Sequence, residues 1–403
     1  MTTSVVLRNG RLVDGGTAEV TITDNLVAAT AAEPVGAIID LGGRLLLPAL
    51  GEPHAHLDKA YTADLFPNPS GDLLGAVEAI NAGWRRVDAE NIATRAERAA
   101  RRLVQAGTTA IRSHLDVTPE NEHKSVEAML EVQRRVAHLC HLELVALTMP
   151  LTGPDGSIGR KLLVGAMEDG VDLVGACPHL EEEPVAAIDF ALGVAQEAGR
   201  GVDLHFDEVL DVTVQHLPEL ARQVTSRGLE GRVTASHCVS HGLLDAGLQR
   251  DVGRLLAAAG ISVVTNPRTN LFLQARGWET APPRGLTGVR ALLDSGVLVA
   301  AGADNLQDPF YVIGRPDPLE TASLLVSAAH LTIDEAWRLV SESARRVMAL
   351  PTVDLTPGSP ADFVAVAADG LREAIAEQPS DRMVFHNGRL VAATYVSDWV
   401  AGR

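Results

Sequence analysis

"LLLPALGEPHAHLDKAY", residues 45–61, runs from an apolar stretch into two histidines one residue apart, then an aspartate and a lysine. A short apolar run of this kind reads as a buried strand. Its polar end has two explanations, a metal site or a strand mouth without chemistry. In a strand, residues i and i+2 share a face, about 6–7 Å apart. His54 and His56 can therefore aim the same way. The rest of the chain decides what they meet.

Similar strand-like runs recur at 108–117, 143–149, 171–179, 202–208, 232–238, 261–267 and 297–305. Between them lie segments of helical spacing rich in Ala, Leu, Arg and Glu, such as 91–106, 122–137, 184–199 and 246–259. Glycine often stands just past the helical segment, at Gly107, Gly170, Gly228, Gly260 and Gly296, where a helix end favours a left-handed residue. Eight such strands, nearly continuous in apolar character, predict an α/β protein with a parallel sheet covered on its outside. A (β/α)8 TIM-type barrel over 45–351 is the economical closure, and a doubly wound open sheet is the competing topology. Residues 1–44 and 352–403 have a different texture of short strands and turns. "LRNGRLVDG" (7–15) and "FHNGRLVAA" (385–393) share Asn-Gly-Arg-Leu-Val, and Asn-Gly is a hairpin signal. Both termini are expected to form one small composite β-sandwich domain beside the barrel.

Composition narrows the function. The chain has 403 residues, 46% of them hydrophobic, enough for a large core without disulfides. Cys140, Cys177 and Cys238 are scattered, without metal-type spacing, which fits a reducing, cytoplasmic setting. The N-terminus lacks the basic start and apolar core of a secretory signal. No window approaches the roughly 20 apolar residues of a membrane span. A net charge of −18 argues against nucleic acid or an anionic membrane as partner. A small-molecule substrate and a homo-oligomer remain the expectation.

In such a barrel the chemistry sits at the C-terminal ends of the strands. There the sequence places His54 and His56, His114 and Asp116, His179, the group His205, Asp207 and Glu208, then His237, then Asp304 with Asn305. His205 and Asp304, from other parts of the circle, could complete three imidazoles and a carboxylate around one ion. That donor set suits Zn2+ or Fe2+ and leaves room for water. Glu208, three residues from His205, nominally faces the other way, so it must lie past the strand to join them.

These residues resemble the amidohydrolase superfamily, and within it the cytosine deaminase-like members. The resemblance runs through "HLDKAY", "IRSHLDV", "DLVGACPHLE", "VTASH", "NPRTNLFLQAR" and "DNLQDPF". It implies that His54, His56, His205 and Asp304 bind one divalent metal ion, Fe2+ or Zn2+. It also implies that Glu208 shuttles protons, that His237 positions the attacking water and that Asp304 helps take the first proton. Two-metal members use a lysine on the fourth strand, and "VDLVGACPHL" has none.

Departures from that pattern bear on the substrate. Met149 stands where cytosine deaminase has a glutamine that reads the pyrimidine's amide edge. Asn305 stands in place of a second aspartate, and Phe310 in place of a tryptophan. "HLDK" and "DN" are instead similar to the hydrolase that frees isopropylamine from N-isopropylammelide, a triazine, although that enzyme lacks the glutamate kept here as Glu208. Lys59, Met149, His179, Asn305 and Phe310 are the expected substrate contacts. The expected activity is hydrolytic deamination of an amino-substituted pyrimidine-like or triazine-like heterocycle. Removal of an alkylamine from such a ring, or cyclic amide hydrolysis, is the alternative. The remaining histidines, the paired arginines and Glu181-Glu182-Glu183 are expected to do no chemistry.

Overall fold

The computed structural model describes residues 4–29, 36–397 and 399. Five short strands open the chain: β1 (Ser4–Arg11), β2 (Thr17–Thr23), β3 (Leu26–Val27), β4 (Ala37–Asp40) and β5 (Leu45–Pro48). Eight more follow: β6 (Leu50–Ala55), β7 (Thr108–Val117), β8 (His141–Thr148), β9 (Leu173–Ala176), β10 (Gly201–Phe206), β11 (Val233–His237), β12 (Ser262–Thr265) and β13 (Val299–Ala301). The last three are β14 (Phe363–Val366), β15 (Arg382–His386) and β16 (Arg389–Thr394).

Strands β6 to β13 pair in sequence order, all parallel. The sheet closes between its first and last members. The amide of Asp304 donates to the His54 carbonyl (2.9 Å), and the amide of His56 to the Asp304 carbonyl (3.2 Å). The molecule is therefore a (β/α)8 barrel, and the open-sheet alternative falls. All ten residues of β7 and all six of β6 are buried, as in strands covered on both faces.

Helices α1 (Leu73–Trp84), α2 (Ala89–Gln105), α3 (Lys124–Val136), α4 (Gly156–Asp169), α5 (Pro184–Ala198), α6 (Leu217–Arg227), α7 (Ala246–Ala258) and α8 (Pro267–Leu273) lie between the strands. Helix α2 shows the logic. Asp88 caps it by accepting from the Asn91 amide, and Ile92, Ala96, Ala99 and Leu103 recur on one buried face. Burying the Ile and Leu contributes about 1.5–3 kcal/mol each. Arg95 on the same face donates to the carbonyls of Asp58 and Ala60, both at 2.8 Å, and so pins the loop that follows the two histidines. Gly107 ends this segment at φ 103°. A Cβ there would come within 2.9 Å of Val364 in β14.

The terminal strands form one sheet in the order β16-β15-β14-β5-β1-β2-β3, with β4 alongside β1. Two expectations change here. The single strand expected over 45–56 is two strands: Leu45–Pro48 pairs with β14 and β1, and Leu50–Ala55 enters the barrel. Pro48, which ends the first of them, has no amide hydrogen to continue a ladder. Of the two Asn-Gly pairs, Asn387-Gly388 makes the β15–β16 turn, at φ 49° and 72°. Asn9-Gly10 instead sits at a bulge inside β1, with Asn9 donating to Asp40 (2.8 Å). The sheet's far edge returns toward its middle, since Val27 donates to Ser359 and Gly358 to Val27, both at 2.9 Å. Leu7, Val20, Leu46, Phe363 and Phe385, from both arms, fill one small core.

Candidate active site

Strand ends at the C-terminal mouth bring four donors to one point. His54 Nε2 lies 3.2 Å from His205 Nε2, and His56 Nε2 lies 3.0 Å from the same atom. Asp304 Oδ1 is 3.6 Å from His54 Nε2 and 3.2 Å from His56 Nε2. Donors about 2.0–2.1 Å from a shared tetrahedral centre stand about 3.3 Å from one another. The observed separations scatter around that value. A supporting contact sets the first of these imidazoles for ligation. Ser236 donates its hydroxyl hydrogen to Asp203 (2.7 Å), so its oxygen accepts from His54 Nδ1 (3.0 Å). His54 then carries its proton on Nδ1, and Nε2 presents a lone pair. Both oxygens of buried Asp304 lack a hydrogen-bond partner. A carboxylate left so, beside three imidazole nitrogens, fits a cation at the centre.

His114 and His237 also stand near this cluster, in the groups His54–His114–His205 and His54–His237–Asp304, each with donor atoms within 4.8 Å. Each also faces a carboxylate of its own. His114 Nε2 faces Asp203 at 3.4 Å, and His237 Nδ1 faces Glu208 at 3.2 Å. The set with its donors aimed inward is His54, His56, His205 and Asp304.

The parity problem at Glu208 has a backbone answer. Strand β10 stops at Phe206, and Asp207 takes φ 46°, which turns the chain so that Glu208 rejoins His205. Asp207 is held there by His216, whose ring lies at 2.7 Å and whose amide donates at 2.8 Å. His237 and Asp304 likewise sit at φ 70° and 65°. Left-handed backbone at non-glycine residues costs about 1–3 kcal/mol each and concentrates at functional sites.

Lys59, Met149, Asn305 and Phe310 line the cavity above the cluster, with Glu208, His237 and Asp304 at its floor. The space between these side chains, counted out into open solvent, is about 560 Å3. His179 is a correction. Strand β9 ends at Ala176, and a tight turn over Pro178–Leu180 follows. Cys177 and Leu180 face the cavity, while His179 is outside its lining, with Nδ1 3.7 Å from Cys177 Sγ. Sequence reading missed α1, whose Leu73, Val77 and Ile80 form an apolar wall. It also missed Asn270, whose amide nitrogen is 3.0 Å from Glu208 Oε1 and 3.2 Å from His237 Nδ1. The segment "NPRTNLFLQAR" contained that asparagine, but not its direction.

The family model for the amidohydrolase family matches residues 70–403. The chain belongs to the amidohydrolase family. It is 32% identical to the pterin deaminase of Rhizobium rhizogenes over 378 residues, 92% of this chain and 85% of that one. Among solved structures it superposes on 5-methylcytosine deaminase from Klebsiella pneumoniae with a TM-score of 0.88, at 28% identity and 99% coverage of both chains. N-isopropylammelide isopropylaminohydrolase from Burkholderia multivorans gives 0.83, at 28% identity, covering 97% of this chain and 98% of that one.

Burial dominates the electrostatics of this amidohydrolase. It holds His54, His56 and His205 well below the usual histidine range, and the neighbouring rings add to the effect. Neutral imidazoles are the ligating form. Burial pushes Asp304 up to about 7, as an uncompensated carboxylate must be, with His237 opposing the rise. His237 moves the other way. Burial pulls it down, but Glu208 and Asp304 outweigh burial and bring it to about 9. Glu52, behind the closing seam, is pushed up to about 8 by burial against the pull of the Ala303 amide, which it accepts at 2.9 and 3.0 Å.

Proposed function

We propose that this amidohydrolase is a mononuclear metal-dependent deaminase that hydrolyses the exocyclic amino group from a pyrimidine-like or triazine-like ring, free or fused, and releases ammonia. One observation carries the reading. Three imidazole nitrogens and an unpartnered carboxylate converge at the floor of an apolar cavity, and a glutamate–histidine pair stands beside them.

His54, His56, His205 and Asp304 would hold one divalent ion, Fe2+ or Zn2+. Such an ion lowers the pKa of a bound water from about 15.7 toward about 7. The chain's own residues then manage protons and charge. Glu208, with one oxygen held by Asn270, takes a proton from the attacking water and delivers it to the ring nitrogen beside the reacting carbon. It then takes the remaining hydroxyl proton and carries it to the departing amine, as the carbonyl forms and the C–N bond breaks. Help of this kind is worth about 10²–10⁴ in rate. His237, whose Nδ1 stands 3.2 Å from Glu208, steadies the oxygen on the tetrahedral carbon. Leu147, Met149 and Phe310 exclude water around the ring. The related pterin and 5-methylcytosine deaminases and the N-isopropylammelide hydrolase support a heterocycle as substrate.

The test is a panel of aminopyrimidines, aminopteridines and amino- and alkylaminotriazines, scored for ammonia against alkylamine. Ammonia release from an amino ring, lost on chelation and restored by one metal equivalent, is the expected result. Alkylamine release alone would replace deamination with substituent hydrolysis, and release of neither would reject both.

A further inference from the structure

The cavity floor is accounted for by the chemistry just described, but its side wall carries an ion pair that this chemistry does not use. Lys59 and Asp116 are both buried, both line the cavity, and lie 2.7 Å apart. An ammonium has three hydrogens to donate. Among the described residues Lys59 places one on Asp116 and has no other hydrogen-bond partner. The nearby Asp308 is already occupied, taking Asn305 Nδ2 (2.9 Å) and the amides of Phe310 (2.9 Å) and Tyr311 (3.2 Å). Thr118, two residues beyond Asp116 on the same wall, also has a buried hydroxyl without a partner.

The pair is held rigidly. Trp84 Nε1 donates to the second oxygen of Asp116 (3.1 Å), and the Asp116 amide donates to Asp58 (2.8 Å). Lys59 Nζ sits 4.8 Å from the centre of the Phe310 ring, a cation–π contact that fixes its position over that wall. Rigid, desolvated groups with spare hydrogen-bonding capacity cost stability unless a ligand uses them. What they offer is specific: donor hydrogens on Lys59, a hydroxyl on Thr118, and acceptor lone pairs on Asp116, side by side.

We propose that Lys59 and Asp116 are the specificity-determining pair, and that they read an amide edge, a ring carbonyl next to a ring N–H, on the substrate. The carbonyl oxygen accepts from Lys59 and the adjacent N–H donates to Asp116. The proposal rests on the reading of this site as an amino-heterocycle hydrolase and narrows it to oxo-bearing rings. Aminotriazines and aminopyrimidines without a carbonyl leave the remaining ammonium hydrogens without an acceptor and bind poorly.

The experiment compares matched probes, isocytosine with 2-aminopyrimidine and pterin with 2-aminopteridine, in the metal-loaded protein. Dissociation constants are measured by calorimetry in the Glu208→Gln background so that turnover does not interfere. The oxo ring should bind about 10- to 100-fold more tightly than its partner in at least one pair. Lys59→Met should collapse that ratio toward one, and Asp116→Asn, which keeps shape, should reduce it. Metal content and melting temperature check that each variant is folded. A wild-type ratio near one, no binding of either pair, or a Lys59→Met variant that weakens both rings equally overturns the assignment. Ammonia release by the wild-type protein from any amino ring reports separately on the underlying reading, so the two can fail independently.

Discussion

Glu208 is the side chain on which the proposed proton traffic turns. Glu208→Gln should keep the metal and the fold while turnover falls about 10²–10⁴-fold. Near-wild-type turnover in that variant would move the shuttle role elsewhere. The metal ligands predict a different signature. Asp304→Asn should lower metal occupancy and activity together, measured by elemental analysis and ammonia release, because a neutral amide replaces the one anionic donor. The type and spacing of these residues were legible in the chain, since histidines and carboxylates ending successive buried strands have few other uses. Their directions were not. Glu208 reaches the site only through the left-handed turn at Asp207, and His179 misses it because β9 stops early. Neither event leaves a mark in side-chain periodicity. Asn270 was hidden for another reason, as a neutral amide in a helix has no distinctive pattern.

At the scale of elements, the site depends on the seam that closes the barrel between β6 and β13. Gly302 lies on it, and a Cβ there would meet the His54 carbonyl and Asn266 Oδ1 at 2.8 Å and Glu52 at 2.9 Å. Two of those neighbours cannot retreat without moving a candidate ligand or Asn266, which lies 3.2 Å from His237. Gly302→Ala should therefore cost about 1–3 kcal/mol in urea denaturation and lower activity at equal metal loading. Unchanged stability would show that the seam has slack. The strands and helices themselves were largely readable. The 3.6-residue pattern located α2, α3, α5 and α7 to within two residues at each end. Helix α1 escaped because Leu73, Val77 and Ile80 face a cavity and Leu74 faces solvent, so its apolar stripe is diluted.

The whole molecule joins its terminal sheet to the barrel through a buried carboxylate. Asp362, at the start of β14, accepts from Arg345 (3.1 Å), from the Asn387 amide (2.8 Å) and from His386 (3.1 Å). Burial alone would raise its pKa, but His386, the amide and Arg345 outweigh burial and hold it below 3.8. A depressed folded pKa contributes stability that is complete above the unfolded value and lost as pH falls through the folded one. Asp362→Ala should then cost about 3–5 kcal/mol at pH 7, by stranding Arg345, and flatten the loss of stability as pH falls below the ordinary aspartate range. An unaltered acid limb would place that dependence on other groups. The joint role of the termini was legible in their shared Asn-Gly-Arg-Leu-Val, while the intervening β5 was concealed inside what read as a barrel strand. Above all of this stands the claim that one cation organises the mouth of the barrel. Its most direct measurement is metal stoichiometry by elemental analysis in the wild-type protein and in His205→Asn. The account predicts one tightly held divalent ion per chain, required for ammonia release and lost in the variant; a chain that turns over substrate with no metal, or that keeps its full equivalent without His205, would contradict it.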